Sequence, residues 1–253
     1  MSRARDLAWY LDPAQLFTAA LGHEPDEWQA GVLRSTAPRL AINASRQSGK
    51  SSTVAVVGLW TALYRPGSLV LIVSPSQRQS SEMLRKIRDS YLAVGQPVPA
   101  VNISATTLEL SNRSRVVSLP AEETTVRGFS APAAIILDEA SRIEDPMWYA
   151  IEPTLAAAPS ARVLTLSTPW GKRGWWWQIW TADDTWQRVE VNAYQVKHLN
   201  REFLDQKQGS LPRQIWLSEY MCQFTEAADD YFGHEDIMAA LSHDVAPLFV
   251  GGV

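Results

Sequence analysis

The segment Ala41–Thr53 reads AINASRQSGKSST. A short apolar run, Leu40–Ile42, enters a small polar loop that ends in Gly-Lys-Ser and passes at once into a helix-like run. Strand, tight turn and helix in that order form an anion cradle, because the first N–H groups of the helix and its dipole point at whatever the turn holds. The usual template is G-x-x-x-x-G-K-[ST], and Ala44 stands where its first glycine belongs. The remainder fits: Gly49 lets the backbone approach a phosphate, Lys50 can reach β and γ oxygens, and Ser51 can hold Mg²⁺. An ordinary strand-to-helix turn with an exposed lysine is the competing reading at this point.

The rest of the chain supports a fold of the kind such a loop needs. With 46% hydrophobic and 20% charged residues, the 253-residue chain can build a sizeable core as one large α/β domain or one domain with a small appendage. The single cysteine, Cys222, excludes an internal disulfide framework and a cysteine-rich metal site, which fits a reducing compartment. No apolar stretch approaches the ~20 residues of a membrane span, so no membrane partner is expected. A net charge of −4 argues against a protein that coats nucleic acid, though not against a motor touching DNA through one small basic patch.

In chain order, residues 7–21 read as one helix and His23–Ser35 as a second, opened by Pro25 and carrying Trp28-Gln29. Arg39–Ser45 is a strand, Lys50–Tyr64 a helix, and Leu69–Pro75 a near-continuous apolar strand of the type buried on both faces in parallel sheets. Ser76–Val94 is an amphipathic helix with basic residues Arg78, Arg85, Lys86 and Arg88 outward, and Gly95–Ala100 a Pro/Gly-rich loop. Short strands follow at Thr107–Leu110 and Arg115–Leu119, turned by Asn112-Arg113. Ala134–Leu137 is an apolar strand ending in Asp138-Glu139, and a helix runs from Asp145 to about Ala157. Arg162–Leu166 is another buried strand, ending in Ser167-Thr168-Pro169. Of the 11 tryptophans, five fall between Trp170 and Trp180, where subdomain packing or an assembly surface explains them better than a cofactor box. Alternation of strands and helices from residue 39 to 170 indicates βαβ crossovers and a mainly parallel central sheet flanked by helices. Residues 1–170 are read as the core with an N-terminal helical segment, 171–230 as a smaller lid-like appendage, and 231–253 as a linker that includes a short helix and the start of a strand, Leu248–Val253.

Hydrolysis needs more than a phosphate loop: a metal, a positioned water and neutralisation of charge. Asp138, at a strand tip about ninety residues after Lys50, would hold Mg²⁺ through water, and Glu139 would be the general base. The two motifs in this order make coincidence unattractive and point to ATP hydrolysis. Ser167 and Thr168 would lie beside the Asp138 tip and could sense the γ-phosphate. Arg127, Arg142 and Arg46 each could supply a guanidinium to the transition state, and the residues alone do not rank them.

Taken together, Trp28-Gln29, Ser45-Arg46-Gln47-Ser48-Gly49-Lys50-Ser51, Val126-Arg127-Gly128, Ile135–Glu139 and Ser167-Thr168-Pro169 resemble the ATPase domain of a tailed-phage terminase large subunit, over about residues 24–230. The Arg-Gln pair ahead of Ser-Gly-Lys-Ser is the most specific piece, and it makes Ala44 acceptable. The resemblance implies a P-loop NTPase of the ASCE or RecA-like kind with a lid subdomain, using ATP and Mg²⁺ to drive viral double-stranded DNA into a procapsid. It implies nucleotide contacts from Trp28 and Gln29 on the adenine side and from Ser45, Arg46, Gln47, Ser48, Gly49, Lys50, Ser51 and Ser52 in the loop. It makes Ser51 and Asp138 the metal residues, Glu139 the base, Ser167, Thr168 and Pro169 the coupling motif, and ranks Arg127 above Arg142 as a finger acting in trans. The implied partners are DNA, a homo-oligomeric ring, a portal protein and a small terminase subunit, at a procapsid in the cytoplasm of the infected bacterium. Such proteins usually continue into a nuclease domain, whose first strand LFVGGV resembles; no nuclease activity is expected of this chain, which lacks a carboxylate cluster for two metals.

Two alternatives remain open. A superfamily 2 helicase fragment also has a glutamine motif and an Asp-Glu strand, but needs a second sheet. A nucleotide-binding module that assembles a ring without turnover would lack a working Glu139.

Overall fold

The computed structural model of the chain describes residues 3–122, 128–156 and 158–226. Arg127, the helix expected at His234–Leu241 and the strand expected at Leu248–Val253, with the remainder of the 231–253 linker, lie outside the described residues. Three short helices come first, α1 (Arg3–Leu11), α2 (Pro13–Leu21) and α3 (Glu27–Arg34). There follow β1 (Arg39–Ala44), α4 (Lys50–Tyr64), β2 (Leu69–Ser74), α5 (Gln77–Ala93), β3 (Ala100–Ile103), β4 (Thr107–Leu110) and β5 (Arg115–Pro120). The second half holds β6 (Ala134–Asp138), α6 (Asp145–Ala156), β7 (Arg162–Ser167), α7 (Gly174–Thr181), β8 (Gln187–Val191), α8 (Arg201–Ser210) and α9 (Arg213–Glu219).

The described residues form one eight-stranded sheet in the order β3-β4-β5-β2-β6-β7-β1-β8. From β5 to β8 every pairing is parallel, and β3-β4-β5 is an antiparallel meander at one edge. The four central apolar runs read as parallel strands because both their faces are covered. Leu40, Ile42, Val70, Ile72, Ile136 and Leu164 pack toward the layer that contains α4 and α5. Ala41, Leu71, Val73, Ile135, Leu137 and Val163 pack the opposite way, against α6 and the tryptophans of α7. α4 is buried nearly all round, as a helix held between a sheet and other helices must be. Gly58 explains how it comes so close: a Cβ there would stand 3.1 Å from the Cδ1 atoms of both Ile136 and Ile87.

Three expectations need correction. The first helix is two helices, because Pro13 has no N–H to give to Trp9; the Trp60 indole N–H donates to that carbonyl instead, at 3.0 Å. Asp12 then starts α2, accepting from the Ala14 N–H at 3.0 Å. Second, the Pro/Gly-rich segment gives way at Ala100 to a strand, β3, whose side chains are largely exposed; its ladder with β4 creates it, and no local apolar pattern announces it. Third, the core extends past the boundary at residue 170. β8 pairs parallel to β1 from Leu40↔Gln187 to Ala44↔Val191, while Trp175, Trp176 and Trp186 belong to the main core. Trp175 stacks on Trp148 at 4.6 Å between centroids and donates its indole N–H to Ile143 O at 2.8 Å. The smaller unit with its own apolar centre, Ala193, Leu204 and Trp216, starts only after β8.

Candidate active site

β1 ends at Ala44, which is fully buried and has no positive φ, so a glycine is not needed there. The chain then turns: Ser48 N–H donates to Ser45 O at 3.3 Å, and left-handed residues follow at Gln47 (φ 58°) and Gly49 (φ 88°). Gly49 is required twice over, by that φ and because a Cβ would stand 2.7 Å from Gln29 Nε2. No side chain caps α4 at Gly49, so its first N–H groups and the positive end of its dipole face the loop. The hydroxyls of Ser45 and Ser48 are sealed from solvent without a hydrogen-bond partner. Uncapped N–H groups, two orphaned buried hydroxyls and Lys50 form a donor set suited to a polyphosphate.

Across from the loop, β7 separates β1 from β6 and brings the two strand tips together. Lys50 Nζ lies 3.9 Å from Glu139 Oε1. Glu139 holds a left-handed backbone (φ 53°, ψ 45°), an unfavourable conformation for a non-glycine residue that turns the chain sharply after the strand. Its N–H donates to Asp138 Oδ1 at 3.2 Å. Asp138 is 8% exposed. Ser51, at the start of α4, and Asp138 carry oxygens of the kind that could hold a magnesium ion.

Burial first, and then the charge of Glu139, push the Asp138 carboxyl up to about 6, against the pull of Lys50. A carboxyl whose pKa is higher in the folded than in the unfolded chain destabilises the fold where it is ionised. That penalty is complete above about pH 6 and fades as pH falls toward about 4. In metal- and nucleotide-free protein, Asp138→Asn is therefore expected to raise the melting temperature near neutral pH and to lose this advantage near about pH 4. Calorimetry at both pH values checks it; an equal shift at both would show that Asp138 ionisation is not the cause.

The Ser167–Pro169 segment is tied both to the Glu139 turn and to α9. Ser167 Oγ lies 2.7 Å from Ser141 Oγ and accepts the Ser141 N–H at 3.2 Å, just past Glu139. Pro169 O accepts the Ser218 hydroxyl of α9 at 2.7 Å. Thr168, between them, is buried.

Two of the three candidate arginines are engaged within the chain, and by the same residue. Arg46 donates to both carboxylate oxygens of Glu219, Nε at 2.7 Å and Nη2 at 3.3 Å. Arg142 Nη2 lies 4.0 Å from Glu219 Oε1, with its guanidinium 3.1 Å from the centroid of the Trp170 ring. Arg46 N–H also donates to Glu219 O at 3.0 Å, so α9 is fastened to the phosphate loop by backbone and side chain.

Behind the loop, Gln29 is 5% exposed and its Oε1 accepts the Asp26 N–H at 2.8 Å, completing the capping box of α3. Its amide nitrogen backs onto Gly49. Trp28 is half-buried, with its indole nitrogen enclosed and unpartnered. Gln47 O is in contact with His198 Nε2 at 2.8 Å, and Lys197 Nζ is 3.5 Å from Asp26 Oδ1. Glu219, Ser218, Ser141 and His198 escaped the sequence reading. None carries a motif, and each meets its partner across a chain separation that local pattern does not span.

Over residues 41–238 the chain matches the family described as terminase large subunit, T4-like-virus type, N-terminal. It is 24% identical over 271 aligned residues to the terminase large subunit of Thermus virus P23-45, an alignment that takes in 92% of this chain and 56% of that protein. The chain thus spans about half the length of the curated relatives it matches. Its fold is similar to the large terminase ATPase domain of Thermus phage P74-26, with a TM-score of 0.73 at 23% identity over 85% of this chain and 99% of that one. It is also similar to the large terminase of thermophilic bacteriophage D6E in complex with ATP-gamma-S, with a TM-score of 0.61 at 8% identity over 85% of this chain and 52% of that one. At these identities the solved structures speak for the fold alone.

Proposed function

The chain belongs to the T4-like family of terminase large subunits, and on that premise we propose that it binds ATP with Mg²⁺ at the Ser45–Ser52 loop and hydrolyses it to drive double-stranded DNA into a viral procapsid. The observation that carries the catalytic part is the approach of Lys50 to Glu139, 3.9 Å across the sheet tips. A γ-phosphate seated in the loop replaces Glu139 as the partner of Lys50 and leaves the carboxylate free toward the far side of the phosphorus. Lys50 and the α4 N–H groups hold the phosphate oxygens, and Glu139 takes the proton of the attacking water as the bond to the β-γ bridging oxygen breaks. Ser51 and Asp138 would hold magnesium together with the nucleotide, and the bound ion would supply charge neutralisation. Trp28 and Gln29 border the adenine side, Gln29 by supporting Gly49 from behind.

Ser167, Pro169 and Glu219 form the route from hydrolysis to movement. Ser167 contacts Ser141 beside the Glu139 turn, Pro169 two residues on accepts from Ser218 of α9, and Glu219 joins α9 to the loop, so the unit centred on Ala193, Leu204 and Trp216 acts as the lid. The further partners on this reading are a ring of like subunits, a portal protein and a small terminase subunit, at a procapsid in the cytoplasm of an infected bacterium. No helix of the described residues is long and apolar enough to cross a membrane.

The helicase reading fits less well, since the described residues form a single sheet around one loop. Among the basic residues that could meet DNA, Arg85 pairs with Glu82 at 2.6 Å and Arg88 donates to Ser104 O at 3.2 Å. Arg78 and Arg115 stand at opposite ends of the sheet, so the basic residues of 78–115 do not make one patch. The test is ATP turnover with and without linear duplex DNA at increasing salt. Stimulation by DNA that falls steeply with salt is expected; turnover indifferent to DNA at every salt concentration, with procapsids present, counts against the packaging role.

A further inference from the structure

At the end of the molecule away from the phosphate loop, a cleft of about 320 Å³ opens beside the C-terminal end of α4. Its walls on α4 run from Val57 to the helix end, so the cleft begins roughly 10 Å along the helix from Lys50 and reaches roughly 20 Å from it. Tyr10, Trp60, Leu33 and Val57 give it aromatic and apolar walls, and Arg65 and Arg162 line it with charge. A third arginine at its rim, Arg34, is paired with Asp12 at 2.8 Å. The other two have no carboxylate in the cleft, whose lining contains no acidic residue. Arg162 gives its Nε–H to Ala37 O at 3.2 Å, but its Nη2 is sealed from solvent with no partner. Arg65 lies over the Trp60 ring at 5.8 Å.

Two bland explanations fail. Cations often sit at helix C-termini to satisfy the last carbonyls, but here Asn112 Nδ2 takes Ala62 O and Leu63 O, at 2.9 and 3.2 Å, and Ser68 Oγ takes Thr61 O at 3.2 Å. Nor does an ion pair explain Arg162, because its charge faces that of Arg65, whose repulsion adds to burial in pulling the guanidinium pKa down. A buried donor left unpaired beside a like charge weakens the fold. A ligand that brings the missing negative charge removes that defect.

We propose that this cleft is a second ligand site, separate from the nucleotide loop, for a small compound carrying a phosphate or carboxylate on a ring or short apolar body. The oxyanion seats between Arg162 and Arg65, and the apolar part lies along Tyr10 and Trp60.

The test keeps the loop filled with excess ADP and Mg²⁺ and titrates phenyl phosphate and, separately, benzoate, followed by ligand-observed NMR. Saturable binding of at least one probe is expected, weakened about tenfold or more by Arg162→Met and by Arg65→Met. The stronger probe identifies which oxyanion the site takes. Arg162→Met is also expected to raise the melting midpoint of the ligand-free protein by about 2–4 °C, since it removes an unpaired buried charge. The proposal is overturned by absence of saturable binding of both probes up to about 10 mM, by binding that survives both substitutions intact, or by a fall in the Arg162→Met midpoint.

Discussion

Glu139→Gln is expected to lower steady-state ATP turnover by about 10²–10⁴-fold, the usual contribution of a positioned general base, while ATP affinity changes little. The substitution keeps side-chain length and shape, so the turn at φ 53° and the N–H bond to Asp138 are retained. What it removes is the proton acceptor and the charge that faces Lys50 at 3.9 Å. Losing that charge leaves Lys50 freer for phosphate, which works against any fall in affinity. Phosphate release at saturating ATP, with equilibrium binding of a fluorescent ATP analogue, separates the two effects. Unchanged turnover in the variant would remove Glu139 from the mechanism. No turnover in the unsubstituted protein, assembled with DNA, would favour the ring module that binds without hydrolysis.

The parts of this site that were legible in the sequence are those made by contiguous residues. β1, β2, β6 and β7 could be read because a strand buried on both faces must be apolar throughout, and their tips because polar residues interrupt such runs abruptly. The loop could be read because Gly49 and Lys50 sit next to each other. What stayed hidden depends on pairings set by the whole fold. Glu219 is 173 residues from Arg46, and nothing in Ile215–Tyr220 marks it as the carboxylate that fastens a phosphate loop. Nothing in the sequence around Gln29 shows that it is buried against Gly49 as well as capping α3. β8 alternates as a half-exposed edge strand does, and its place beside β1 follows from pairing rather than composition. The break at Asp12-Pro13 was different: the local chemistry was visible, but continuous apolar spacing through residues 7–21 hid it.

The second large effect concerns charge neutralisation at the transferring phosphate. Arg46 and Arg142 are both held by Glu219, and Arg142 is also stacked on Trp170. Recruiting Arg46 as a finger means breaking contacts that join the loop to α9, and recruiting Arg142 means leaving Glu219 and Trp170, which weighs against both. Arg127 lies in the connection from β5 to β6, eleven positions before Asp138 in sequence. Arg127→Ala is expected to lower turnover by about 10³–10⁵-fold with ATP binding nearly intact. If the arginine serves the neighbouring subunit, mixing with Lys50→Ala chains restores activity, because a Lys50→Ala subunit still offers its Arg127 to a neighbour whose loop works. In a randomly mixed ring at equal amounts, one interface in about four combines an intact loop with an intact donor, which sets the ceiling for rescue near a quarter of normal turnover. Rings assembled on procapsids from mixed subunits, with linear DNA present and phosphate release measured against the ratio of the two variants, give the answer. A curve that stays at zero at every ratio places Arg127 in cis or outside the reaction. Rescue obtained with Arg142→Ala instead would mean that Arg142 leaves Glu219 and Trp170 during the cycle.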